Sequence, residues 1–176
     1  MNGMANLAAF DVNESGKLVK WSNDDLKASF LYPEGSKISV NPGGSKKSVV
    51  INGINTSVRL AVMDTPNPAE SSLEDFTAQI GHSSLVSHSQ YPSYQENNRK
   101  YYMIDGYPTA FIDFKYQQQN EERHCLELWT GKGKCYYIFT VFLSVDDSKH
   151  QAEATKIINS FHLMKGEPDL NAFNGK

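Results

Sequence analysis

The sequence predicts an α+β fold organised around an antiparallel sheet. Two observations carry that expectation. The stretch from Tyr101 to Phe142 reads as three consecutive strands, and helical patterns with capping signatures lie before it, from Ser71, and after it, from Asp147 or Ser148. In the central stretch, Pro108 to Tyr116 places Ala110, Ile112 and Phe114 on one face and Thr109, Phe111 and Asp113 on the other. Arg123 to Trp129 alternates polar with apolar residues, and Cys135 to Phe142 is almost wholly apolar and aromatic. Period-two alternation marks a half-buried strand, and a bounded apolar run fits one buried on both faces. Gly-Lys-Gly-Lys at 131–134 supplies a short turn centred near Lys132, which makes the last two runs a hairpin.

The rest of the chain supplies further strands. Lys17 to Trp21 reads as a short edge strand, and 26–33 as a second that stops at Pro33 before a turn through Gly35. Lys37 to Val40, Ser48 to Ile51 and Ser57 to Met63 follow, with Asn52-Gly53 between the last two. Ser71 with Glu74 is a capping-box pattern, and Leu73, Phe76 and Ile80 share one helical face, so a helix should run to about Gly81. Residues 82–100 are polar and irregular, with part expected as a strand, either Ser87 to Tyr91 or Asn97 to Ile104. In the last helix, Ser148 with Gln151 forms a second capping box, and Ala154, Ile157, Ile158 and Phe161 make the buried stripe.

Length and composition set the bounds. A chain of 176 residues fits one domain, read as 17–165, between a flexible arm over 1–16 and a mobile tail over 166–176. A domain of this size buries about 70% of its unfolded surface and needs neither metal nor disulfide to fold. The net charge is −3 and the basic residues are scattered, adjacent only at Lys46-Lys47 and Arg99-Lys100. That distribution excludes a phosphate-backbone partner, so no nucleic acid is expected. No apolar run approaches the ~20 residues that span a bilayer. The first ten residues lack a basic segment followed by a long apolar core, so the protein is read either as cytoplasmic or as a form whose leader has been removed. Cys125 and Cys135 are expected as separate thiols. With the turn near Lys132, Cys135 falls opposite Leu128 or Trp129 and Cys125 opposite Ile138 or Phe139, too far apart to bridge.

Residue types that carry chemistry are sparse. His82 and His88 are the candidate pair for a divalent metal, with solvated loop histidines as the plainer reading. His124 and Cys125 are adjacent on a strand and point to opposite faces, so they cannot form a nucleophile and base. Gly-Lys-Gly-Lys lacks the following Ser/Thr and the strand–loop–helix setting of a phosphate cradle. Asp113, Glu121, Glu122 and Glu127 offer carboxylates for a glycosidase-like pair, against the ordinary reading that such residues are solvated. No catalytic residue and no cofactor is assigned. Tyr91 and Tyr94, in a polar segment beside Pro92, are the candidate partner-binding residues, because exposed aromatics often anchor contacts.

Several pieces, taken in order, resemble a known family. They are Phe-Leu-Tyr-Pro-Glu-Gly at 30–35, Ser-Leu-Glu-Asp-Phe at 72–76, the run from Tyr102 to Phe114, and Ile-Ile-Asn-Ser-Phe at 157–161. Together they are similar to PsbP-like domains, over most of residues 17–163. The family includes the extrinsic PsbP subunit of photosystem II, bacterial PsbP-related lipoproteins and a structurally similar Ran-binding import factor. The resemblance implies an α/β/α sandwich, with a central antiparallel sheet of about six or seven strands and helices on both faces. It also implies a non-catalytic accessory or binding protein acting through protein–protein contacts. The expected setting is extracytoplasmic, at a bacterial membrane complex, with attachment only through an N-terminal anchor. The alternative reading is a carrier of a small apolar or lipid ligand held between sheet and helices.

Overall fold

The computed structural model describes residues 17–65 and 71–175. Residues 1–16, read above as an arm, and residues 66–70 and 176 lie outside the described residues. Strands β1 (Leu18–Asn23), β2 (Ala28–Pro33), β3 (Lys37–Asn41), β4 (Lys46–Asn52) and β5 (Thr56–Asp64) come first. Helix α1 (Leu73–His88) follows, then β6 (Gln95–Ile104), β7 (Tyr107–Gln118), β8 (Glu121–Lys132) and β9 (Cys135–Leu143). Helix α2 (Ser148–Asn159) and the short β10 (His162–Leu163) complete the order. A seven-stranded sheet has the order β3-β4-β5-β9-β8-β7-β6, and β1, β2 and β10 form a three-stranded sheet. Every pairing is antiparallel.

Alternation along the strands divides the large sheet into two faces. One carries Val58, Leu60, Leu128, Tyr137, Phe139 and Val141, packed with α2 and the small sheet in a single core. Phe139 sits between Phe30 and Phe161, with ring centroids 4.8 and 4.9 Å away. The Ser160 hydroxyl accepts from Leu31 N at 2.8 Å and so seats the end of α2 on β2. The opposite face carries Ala110, Ile112, Phe114, Cys125 and Trp129 beneath Phe76 and Ile80 of α1. Helices therefore lie on both faces of one antiparallel sheet, as expected.

Four details differ from the sequence reading. The hairpin between β8 and β9 turns at Gly133-Lys134 and pairs Lys132 with Cys135, so Cys125 lies opposite Phe142. The two thiols are free and buried, and they belong to the cores of opposite faces. The β7–β8 hairpin turns at Gln119-Asn120, both at positive φ (53° and 64°), the geometry of a type I′ turn. Neither residue is glycine, and β7 and β8 run beyond the patterned stretches 108–116 and 123–129 to meet at this turn. Helix α1 continues past Gly81 to His88 because Phe76, Ile80, Ser84 and His88 form its buried stripe, and the last two are polar. Its cap is Ser72, which accepts from Asp75 N at 3.1 Å, rather than a Ser71–Glu74 box.

A fourth detail concerns the segment read as a tail, part of which packs on the domain. Asp169 N donates to Asp25 O at 2.8 Å, and Phe173 is only 4% exposed within the α2-side core. Burying an aromatic side chain offsets the entropy of ordering the residues that lead to it.

Candidate binding site

The α1 face is built differently at its two ends. Under α1, the last helical residue, His88, is 2% exposed and donates from Nε2 to Glu127 Oε1 at 2.9 Å. Glu127, also 2% exposed, accepts from Trp129 Nε1 at 2.6 Å and from Thr140 Oγ1 at 2.9 Å. Three donors thus compensate the burial of one carboxylate. Tyr94 stacks on the His88 ring at 4.6 Å and Phe114 closes it from another side at 4.7 Å. His88 Nδ1 is buried without a partner.

Beyond the helix end, the chain turns through Tyr91 and Pro92. Tyr91 N donates to His88 O at 2.9 Å, and Gln117 N to Pro92 O at 2.8 Å, which fastens the turn to β7. Tyr91 and Tyr94 are therefore half-buried rather than standing free in a loop. The Tyr91 ring packs on Tyr116 at 4.6 Å and on Phe114 at 5.6 Å. The Tyr94 hydroxyl donates to Glu96 at 2.9 Å.

The sheet is uncovered from there outward. Two adjoining hollows of about 410 and 460 Å³ meet at Arg59, Tyr91, Tyr116 and Gln118, and the second extends to Arg123 and Phe142. Arg59 lies over the Phe142 ring, 5.2 Å from its centroid, and its Nε is buried with no acceptor. Burial pushes the Tyr91 hydroxyl pKa up, and the neighbouring Arg59 guanidinium works against that push. Burial likewise raises Tyr116, to about 12. Both phenols are uncharged donors at neutral pH. Among the described residues Arg123 is ion-paired only with the exposed Glu121, at 2.8 Å. Chemically, the groove offers cationic forks, phenol hydroxyls and side-chain amides over an aromatic floor.

No family model matches this chain, and no curated protein matches it in sequence. Solved structures do match. Cyanobacterial PsbP from Synechocystis sp. PCC 6803 superposes with a TM-score of 0.62, covering 84% of this chain and 93% of that one at 15% identity. The fold is PsbP-like. A Bacteroides thetaiotaomicron protein superposes with a TM-score of 0.51 at 14% identity, covering 83% of this chain and 48% of that one.

On this PsbP-like frame the other sequence candidates separate. His82 and His88 both lie on α1, not in a loop; His82 is exposed and His88 buried against Glu127. Six residues at about 100° each set them about 120° apart around the helix, so the fold does not bring them together. Among the described residues no group of three or more His, Cys, Asp or Glu is placed to hold a metal ion. Asp113 faces the α2 side, where it meets His124 at 2.6 Å, whereas Glu127 lies under α1, so these carboxylates form no pair. Nor is Glu127 solvated. Its parity with Cys125 and Trp129 was the available signal. The same parity argument, with Ala61 and Met63, places Arg59 on the α1 face, where the sequence reading assigned it no role. An apolar ligand between sheet and helices would meet Phe76, Ile80 and Phe114 on one side and Phe30, Phe139 and Phe161 on the other, all of them already packed.

Proposed function

We propose that this chain is a non-catalytic, PsbP-like binding protein that works through protein–protein contacts. The observation that carries the reading is the groove between Tyr91 and Arg123. Tyr and Arg are the residue types most enriched where interfaces hold their binding energy, and here they line a concave, half-buried surface on a rigid sheet. Tyr91 lines the groove, while Tyr94 buttresses it through His88. The resemblance to bacterial PsbP-related lipoproteins supports an extracytoplasmic setting at a membrane complex. No described helix is long and apolar enough to cross a bilayer. We assign membrane association to an N-terminal anchor.

Site-directed photo-crosslinking tests this reading. With p-benzoylphenylalanine at Gln118, the full chain should capture one discrete protein from the source organism's membrane fraction. The same label at Lys156, on α2, should not. Tyr91→Ala should abolish the adduct and Tyr94→Ala should weaken it. Equal capture from both labelled positions would overturn the assignment of the contact surface to this groove.

A further inference from the structure

We propose that the groove receives an acidic segment of its partner, an extended stretch whose carboxylates are held by Arg59 and Arg123. This rests on the protein-contact reading of the same groove and specifies the chemistry of what enters it. The chain has only three arginines, at 59, 99 and 123, and two of them line this one surface. Arg99 is committed to Glu96 at 2.6 Å. Arg59 has no carboxylate within ion-pair distance among the described residues, although the Phe142 ring and Tyr91 enclose it.

A half-buried guanidinium with an unused, desolvated Nε–H is unfavourable until an acceptor arrives. Nε and one terminal nitrogen form the fork that a carboxylate fits bidentately. Among the described residues Arg123 is ion-paired only with Glu121, whose side chain is 68% exposed, so an incoming carboxylate displaces a weak, screened contact. Glu127, a buried carboxylate on the same face, is saturated by three donors and sealed under α1. The local field in the groove is therefore positive in a chain whose net charge is −3.

The shape selects a peptide among anions. Two joined hollows with an aromatic floor accept side chains from a narrow, extended strand, whereas a membrane presents a plane that does not enter a recess. A nucleic acid requires a longer track of cations than two arginines. Gln118, at the junction of the hollows, supplies an amide that both donates and accepts, the complement of a peptide backbone.

The test is fluorescence anisotropy of the full chain with a labelled decapeptide alternating Glu and Leu, against the same peptide with Gln for every Glu. The Glu peptide should bind roughly tenfold or more tightly, and its affinity should fall with added salt. Arg123→Gln, on a partly exposed strand end, should remove most of that preference. Arg59→Lys, which keeps the charge but loses the fork, should reduce it further while leaving the thermal transition near that of the wild type. Equal binding of the two peptides would overturn the proposal, as would an undiminished preference in the double variant. Binding to phosphatidylglycerol vesicles without binding to the Glu peptide would replace the occupant with a lipid surface. If the Gln118 adduct persists at full yield in the double variant, the acidic segment is wrong while the protein-contact reading stands. Loss of that adduct from the unaltered groove removes both.

Discussion

The two faces of the seven-stranded sheet use the same strands for different ends. The α2 face is continuous and largely aromatic, with Phe30, Phe139 and Phe161 filling the space between sheet, helix and small sheet, and Phe173 packed into the same core. The α1 face is covered at one end only, and a buried His88–Glu127 hydrogen bond, an unpartnered imidazole nitrogen and an open groove lie along it. Alternating side chains let one sheet assign stability to one side and leave the other for recognition. The distribution of mutational cost should follow that division.

The largest effect is expected from Phe139→Ala, which empties the middle of the α2-side stack. It should cost about 3–5 kcal/mol in urea unfolding, because the surrounding rings relax only in part. Phe173→Ala should cost less, about 2–3 kcal/mol, since a chain end can close over the gap. A cost near zero would mean that the tail rests on the core without contributing to it. Glu127→Gln should cost about 1–3 kcal/mol, because the amide keeps one acceptor oxygen but turns its NH₂ toward Thr140 or His88, where a donor already points. If Glu127→Gln proved more destabilising than Phe139→Ala, the polar network under α1 would be the stabilising centre and the division between the faces would fail.

The sequence made the α2 face legible and the α1 face much less so. Val58, Leu60 and Val62 follow strict alternation, and Ala154, Ile157 and Ile158 follow the helical period, because apolar burial writes itself into composition. Ser84, His88 and Glu127 are buried too, but polar residues at buried positions break the pattern that reveals burial. The end of α1 and the site beside it were lost together for that one reason. The β7–β8 turn was missed because Gln119 and Asn120 adopt positive φ without the glycine that signals it. The packing of Phe173 left no signal, because a single phenylalanine in a polar segment carries no period. Arg59 and Arg123 both fall in strand patterns, but nothing along a single strand tells that strands β5 and β8, two apart in the sheet, bring their arginines to one hollow.

The smallest effect sharpens the contrast from the edge of the α2 face. His124 donates from Nε2 to Asp113 at 2.6 Å and from Nδ1 to Asp146 at 2.7 Å, which ties the β9–α2 connection to β7 and β8. Both ring nitrogens donate only when the imidazole is charged. The hydrogen bond to Asp113 raises the His124 pKa, burial opposes it, and Asp146 adds to the rise. Burial works to raise Asp146 as well, but bonds from His124, Gln151 and Lys115 outweigh it and bring that carboxyl down to about 2. A raised histidine pKa gives stability that is fully present below the unfolded value of about 6.5 and is lost as pH climbs through the folded value. A lowered aspartate pKa gives stability present above its ordinary range and lost as pH falls toward about 2. The clamp is therefore strongest between roughly pH 4 and 6.5 and weakens on the alkaline side as His124 gives up its proton. Wild type should exceed His124→Gln by about 1 kcal/mol in urea unfolding at mildly acidic pH, and by less at alkaline pH. Lys115, 3.1 Å from Asp146, keeps the connection from being released outright, which is why the change is small. Equal differences at the two pH values would mean that His124 holds one protonation state throughout, and this edge would then be as indifferent to pH as the aromatic core beside it.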